Sequence, residues 1–271
     1  MRCVHPLSSL VLAVCVGLLL FSCEPEKGVV VSQNLEVATP EQMRLIGAAL
    51  RDQLALLPDE FPLLDRSAYG EAYAYLDQLL HSAVQTPQYQ YRNYYDWSLD
   101  LIRDDTLVHA FILPGGHLYL TTGLLRYLQD ESEALALIAH ELHYADTDAA
   151  FRHLREAVGG FTLGDIVLGN DTPDLPDAVR AAASISWSHA DVQQADSVAV
   201  AAVCPFRYDA TALARLVARM QADSQPPRWL QTHDSGEPQR VARLQEWAKP
   251  CGHNELTNAA SWRHLVQDLI P

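Results

Sequence analysis

Between Ser132 and Asp146 the apolar residues Leu135, Ile138, Ala139, Leu142 and Ala145 recur at helical spacing. That pattern predicts one helix with a single stripe turned to a core. The same segment carries His140-Glu141-Leu142-His143-Tyr144, so whatever the chain folds into must find a place for imidazole and carboxylate groups on this helix. The surrounding pattern is helical as well. Thr39-Pro40-Glu41-Gln42 is a helix start, with Thr39 as cap, Pro40 in the first turn and Gln42 completing a capping box; this helix is expected to reach Leu57 before Pro58. A second covers Ala68 to Ala83. Extended segments follow at Trp97–Ile102, Leu107–Leu113 and His117–Thr121, with Pro114-Gly115-Gly116 turning the last two against each other. Gly159 to Pro173 reads as a long loop or broken helix, Pro176 to Val203 as one long Ala-rich helix, and Tyr208–Gln221 and Pro238–Ala248 as further amphipathic helices. The expected fold class is α+β: a mostly helical single domain, residues 39–271, with a small antiparallel sheet.

The N-terminus reads as a targeting segment. Arg2 precedes an unbroken apolar run from Leu10 to Phe21, too short to span a bilayer and of the length of a signal-peptide core. Leu20-Phe21-Ser22-Cys23 resembles the bacterial lipobox, in which the cysteine becomes the acylated N-terminus. Residues 1–22 are therefore expected to be a lipoprotein signal peptide, Cys23 the lipidation site and residues 23–38 a polar tether. An exported protein, lipid-anchored in the bacterial cell envelope (periplasmic or outer membrane), follows from that. The formal net charge is −15, which argues against nucleic acid as a partner because the phosphate backbone would repel such a body. Of five cysteines, only Cys204 and Cys251 remain beyond the signal and anchor; an oxidising compartment makes them a possible disulfide, with two free thiols as the alternative.

His140 and Glu141 carry the chemical interest. In a His-Glu-x-x-His helix the two histidines stand one turn apart and grip one zinc ion, while the glutamate takes a proton from the metal-bound water. Here the second histidine is His143, three positions on, and Tyr144 stands at the fourth. Positions three and four residues away both lie near the starting face, on opposite sides of it. Taken alone, His-Glu-x-His fits a polar helix face as well as a metal site.

The neighbouring segments add a resemblance. His109-Ala110-Phe111-Ile112-Leu113-Pro114-Gly115-Gly116 is similar to the Asn-Ala-Phe-x-x-Pro-Gly-Gly segment of the gluzincin peptidase family M48, which includes prenyl-protein endopeptidases, heat-shock membrane proteases and beta-barrel assembly-enhancing proteases. Gly123-Leu124-Leu125, the acidic run Asp130 to Glu133 and Ala139-His140-Glu141-Leu142 follow in the family's order. Ser188 through Gln194-Ala195-Asp196 resembles its Ser-Arg-x-x-Glu-x-x-Ala-Asp, and Thr232-His233 with Arg240 its Thr-His-Pro…Arg. The resemblance implies a zincin-like domain, zinc as cofactor, Glu141 as general base, His233 as a transition-state donor or extra ligand, and Asp196 steadying His140. It also implies that the strand around His117–Thr121 pairs with a substrate backbone.

The departures fall on the metal. The family's second ligand falls at Tyr144 and its third at Val192, which has no donor atom. His109 replaces an asparagine and Asp234 a proline. Nearby substitutes are His143, Asp191 and His189, so a relocated zinc set of His140, His143 and either His189 or Asp191 is one expectation. A decayed site is the other. Two functions follow: an envelope zinc metalloendopeptidase that hydrolyses unfolded or misassembled proteins, or an inactive pseudoprotease that binds polypeptide clients as a chaperone-like lipoprotein.

Overall fold

The structure, a computed structural model, describes residues 32–233, 237–252 and 256–271. The expected signal peptide and Cys23 lie outside the described residues. Chain order is α1 (Pro40–Leu54), α2 (Gly70–Val84), β1 (Ser98–Ile102), β2 (Ala110–Leu113), β3 (His117–Thr121), α3 (Thr122–Tyr127), α4 (Glu131–Asp146), α5 (Ala149–Val158), α6 (Gly160–Leu168), α7 (Leu175–Ala182), α8 (His189–Val203), α9 (Ala212–Ala222), α10 (Arg228–His233), α11 (Arg240–Ala248) and α12 (Ala259–His264). The α+β class stands. No helix among the described residues is long and apolar enough to cross a membrane.

Local chemistry explains where these elements begin. Thr39 caps α1 in a complete capping box with Gln42, as its sequence predicts. Asp130 caps α4, its side chain accepting from the Glu133 amide. Helix α4 is the axis of the fold: every residue from Glu131 to Asp146 except His143 is buried. It packs mainly against α8 and α2, with the Tyr89 hydroxyl donating to the Ala139 carbonyl at 2.7 Å.

The sheet corrects the expected pairing. β2 and β3 form the antiparallel hairpin that Pro114-Gly115-Gly116 predicts, with Phe111 opposite Tyr119. Both turn glycines have positive φ, +79° and +96°, a conformation that side chains with a Cβ disfavour. β1, however, joins the other side of β3 in parallel, so the order is β1-β3-β2 and the sheet is mixed. β3 is thus the central strand with both edges occupied. The expectation that His117–Thr121 receives a substrate strand fails for that reason; the edge nearest α4 belongs to β2.

Two further boundaries move. The long helix expected over Pro176–Val203 is broken between α7 and α8, because Ser188 caps a new helix by accepting the Asp191 amide. Packing also begins before residue 39: the Leu35 amide donates to the Gly160 carbonyl at 2.9 Å, and a Cβ on Gly164 would meet the Gln33 carbonyl oxygen at 1.8 Å. The last part of the expected tether therefore belongs to the packed body. Cys204 and Cys251 are joined in a disulfide, their Cα atoms 5.3 Å apart.

Candidate active site

Helix α4 delivers His140 and Glu141 into the interior, and α8 and α10 supply what surrounds them. All of the central groups are buried: His140, Glu141, Tyr144, Val192 and Asp196 are fully so. His140 Nε2 lies 3.1 Å from Asp196 Oδ1. Arg240 holds Asp196 from behind with two 2.8 Å bonds, one to each carboxylate oxygen. Asp196 thus lies between the His140 imidazole and the Arg240 guanidinium. On the other side, Glu141 Oε1 accepts from the Trp229 indole N–H at 2.7 Å and faces His233 Nε2 at 3.0 Å.

These contacts set the charge states. Burial pushes Glu141 up, but His233 and His140 outweigh it and hold the carboxyl at about 2. Burial likewise raises Asp196, and the Arg240 charge with His140 brings it to about 2. Burial pushes His140 down, and Asp196 and Glu141 together turn that into a net rise. His233 is pushed down by burial against the pull of Glu141. The groups that hold these buried carboxylates down are Arg240 and His140 at Asp196 and His233 and His140 at Glu141.

Aromatic rings fill the remaining space. Tyr144 lies flat on Trp187, ring centres 3.7 Å apart and planes 1° apart. It meets His140 edge-on at 5.4 Å. Trp229 stacks on His233 at 4.7 Å and stands edge-on to His140 at 5.3 Å. The Trp229 amide also donates to the Val108 carbonyl at 3.0 Å, just ahead of β2, and the Trp187 amide to the Thr232 carbonyl at 2.9 Å. α10 is thereby fixed against both the approach to β2 and the start of α8.

The residues proposed from sequence divide sharply. His140, Glu141 and His233 come together, with one donor atom from each lying within 4.8 Å of the others. His143, His189 and Asp191 do not join them. His143 is half-buried on α4, with burial lowering its imidazole to about 4; the inward position one residue on belongs to Tyr144. The His189 side chain is 51% exposed and lies 3.6 Å from Glu237. Asp191 is held by Arg152 at 2.8 Å, His153 at 2.9 Å and the Ser188 hydroxyl. One residue along α8 is a turn of about 100°, enough to send Asp191 to that cluster while Val192 faces inward. The structure does not bring the relocated set together. Trp187 and Trp229 were not singled out by sequence, because neither belongs to a metal-ligand spacing.

A buried helix bearing His-Glu, an edge strand beside it and an Asp-bearing second helix define the fold of a zincin-type metallopeptidase. The chain belongs to Peptidase family M48, whose profile matches residues 71–248. It is 24% identical over 251 residues to a Vibrio cholerae serotype O1 protein named as a beta-barrel assembly-enhancing protease. The match covers 81% of this chain and 49% of the relative, so the chain spans about half the relative's length.

Members of this family are zinc peptidases, and the donor set decides whether these residues fit that ion. A hydrolytic centre needs three protein ligands and, beside them, a separate base. Val192 offers no donor. Tyr144 stands where the family has its second histidine, and its ring is committed to the flat stack on Trp187. That leaves His140, Glu141 and His233: three groups where four are required. If Glu141 ligated an ion, it would no longer be free to take the proton. The residues present do not fit the family's hydrolytic zinc centre.

Proposed function

We propose that this chain is a non-hydrolytic member of its peptidase family: an envelope lipoprotein, anchored through Cys23, that binds unfolded or misassembled polypeptides. The observation that carries the reading is the state of Glu141. The residue that the family resemblance casts as general base is completely buried, and its Oε1 is taken by the Trp229 indole N–H. A base must reach the water it activates, and this one is covered. The Tyr144–Trp187 stack supports the same reading, since it fills the side from which the family's second ligand would act. Anchoring is supported by the lipobox-like Ser22-Cys23, and polypeptide clients by the family and by the name of the Vibrio cholerae relative.

One observation favours hydrolysis instead: His140, Glu141 and Asp196 all match the family pattern, and Arg240 keeps Asp196 in position. The purified mature chain separates the two readings. The expected result is less than one-tenth equivalent of zinc after equilibration, no casein cleavage, and measurable binding of a reduced, carboxymethylated polypeptide. Tyr144→His combined with Val192→Glu should bring zinc content towards one equivalent. Near-stoichiometric zinc in the wild type, lost in His140→Ala, together with cleavage that disappears in Glu141→Gln, would overturn the proposal.

A further inference from the structure

A large cleft lies at the β1 end of the sheet, between α2, the end of α1 and the loop that leads into β1. It measures about 710 Å³, and Arg51, Arg66, Asp77, Gln85, Trp97 and Asp100 are among the residues that line it. Strand residues alternate in direction, so β1 gives Ser98 and Asp100 to the cleft while Leu99 and Leu101 turn to the core.

The charges of the lining nearly cancel and are largely spent on one another. Arg66 reaches Asp77 at 2.9 Å and Asp100 at 3.1 Å, and its guanidinium lies over the Tyr73 ring at 4.2 Å. Arg51 pairs with Asp52 at 3.2 Å, and Arg92 donates to the Tyr89 carbonyl at 3.2 Å. These groups stay within reach of solvent: the side chains of Arg66 and Asp77 are each 44% exposed and that of Asp100 22%. The exposed side chains of His81 and Gln85 add further polar groups.

Trp97 supplies an apolar wall. A Cβ on Gly116 would meet three carbons of its ring at 2.7, 3.0 and 3.2 Å, so Gly116 backs the indole closely. Tyr95 stands edge-on to it at 5.6 Å, and the indole N–H is already given to the Tyr91 carbonyl at 3.4 Å. What the half-buried Trp97 presents to the cleft is therefore ring carbon and not a donor.

This mixture selects among ligands. An anion would meet Asp77 and Asp100, and a cation would meet Arg51, Arg66 and Arg92. A wholly apolar molecule would strip water from the ion pairs and replace none of it. An extended polypeptide would need the outer edge of β1, which is taken. Arg66 donates to the Leu99 carbonyl, the Leu101 amide donates to the Tyr73 hydroxyl at 3.1 Å, and the Leu64 amide donates to the Leu101 carbonyl at 2.8 Å. A sugar meets every condition. Each hydroxyl both donates and accepts, so it can bond to carboxylate and guanidinium alike, and the C–H face of the ring packs on an indole. Ligand sites run from roughly 300 to 1,000 Å³, which gives this cleft room for a disaccharide.

We infer that the cleft is a binding site for a neutral saccharide, with one sugar ring packed on Trp97 and its hydroxyls bonded to Asp77, Asp100 and Arg66. A glycan of the envelope as its source rests on the proposed location; the chemistry rests on the cleft alone.

The test is saturation-transfer NMR on the full mature chain with N,N′-diacetylchitobiose, cellobiose and maltose, run beside binding of the carboxymethylated polypeptide. At least one disaccharide should bind, and Trp97→Ala and Asp77→Asn should each weaken it about fivefold or more. Trp97→Phe, which keeps a ring, should hold affinity within about twofold. Asp77 is half-exposed, so its variant carries the test should Trp97→Ala fail to fold. No saturation transfer to any of the three sugars, or an affinity unchanged in both Trp97→Ala and Asp77→Asn, would refute the site. Polypeptide binding that is lost in Asp77→Asn, with no sugar bound, would make the cleft a peptide site and overturn the assignment. Polypeptide binding that persists with no sugar bound removes this site and leaves the proposed function standing; sugar binding without polypeptide binding does the reverse.

Discussion

Helix α4 carries two fully buried glutamates about two turns apart, and the protein treats them differently. Glu133 has both oxygens occupied: Arg219 donates to them at 2.8 and 2.6 Å, Arg215 at 3.2 Å and the Gln129 amide at 2.9 Å. Glu141 receives the Trp229 indole on Oε1 and faces the His233 imidazole there, while its Oε2 is buried without a hydrogen-bond partner. A carboxylate that only fastens helices together is surrounded by permanent cations. Glu141 is left incompletely satisfied, and an unpaired buried oxygen of that kind marks a place where stability alone did not set the arrangement. Glu133 ties α4 to α9; Glu141 stands where the family resemblance puts the general base.

Substitution tests this contrast most strongly at the first glutamate. Glu133→Ala should cost about 3 kcal/mol in urea unfolding, since it removes the carboxylate that Arg215 and Arg219 share. A loss below about 1 kcal/mol would mean that both arginines simply rehydrate, and the contrast would fail.

Acid titration comes next. Asp196 and Glu141 have folded values depressed to about 2, so the stability they contribute is present above their ordinary values near 4 and is lost as pH falls towards 2. For Asp196 that loss is on the order of 2 kcal/mol. His140 has the opposite sign: its folded value is raised, so its contribution is complete below about 6.5 and disappears as pH rises through the folded value. Urea midpoints between pH 2 and pH 9 should therefore fall on both sides of a plateau, and Asp196→Asn should flatten the acid limb. An unchanged acid limb in that variant would assign the loss elsewhere.

The smallest effect is expected at the second glutamate. Glu141→Gln keeps an acceptor for the Trp229 indole but removes the charge that His233 and His140 favour, so it should cost about 1–2 kcal/mol. A loss as large as that of Glu133→Ala would show that the two carboxylates perform the same structural task.

The order of the motifs made much of this molecule legible before folding. Thr39 and Gln42 marked the first cap, Pro114-Gly115-Gly116 the hairpin, and His140, Glu141 and Asp196 the two helices of the centre. What escaped was decided by neighbours distant in sequence. Whether β1 joins β3 in parallel depends on where the chain between them crosses, which no periodicity records. His143 and Asp191 looked like substitute ligands because each is one residue from a lost one, but one residue on a helix is about 100° of rotation. Trp187, which stacks on Tyr144, and Trp229, which meets His140, come from the α7–α8 connection and α10, 47 and 89 positions after His140, and an isolated tryptophan announces nothing about which cavity it will fill.

The bond between Cys204 and Cys251 spans 47 positions, and that excursion contains α9, α10 and α11. Trp229, His233 and Arg240 all ride on it. Inside that ring the Trp229 amide is tied to Val108 and the Thr232 carbonyl to Trp187. Uncovering the carboxylate therefore parts α10 from those two neighbours, and amide exchange at Trp187 and Trp229 is where that opening would first be seen.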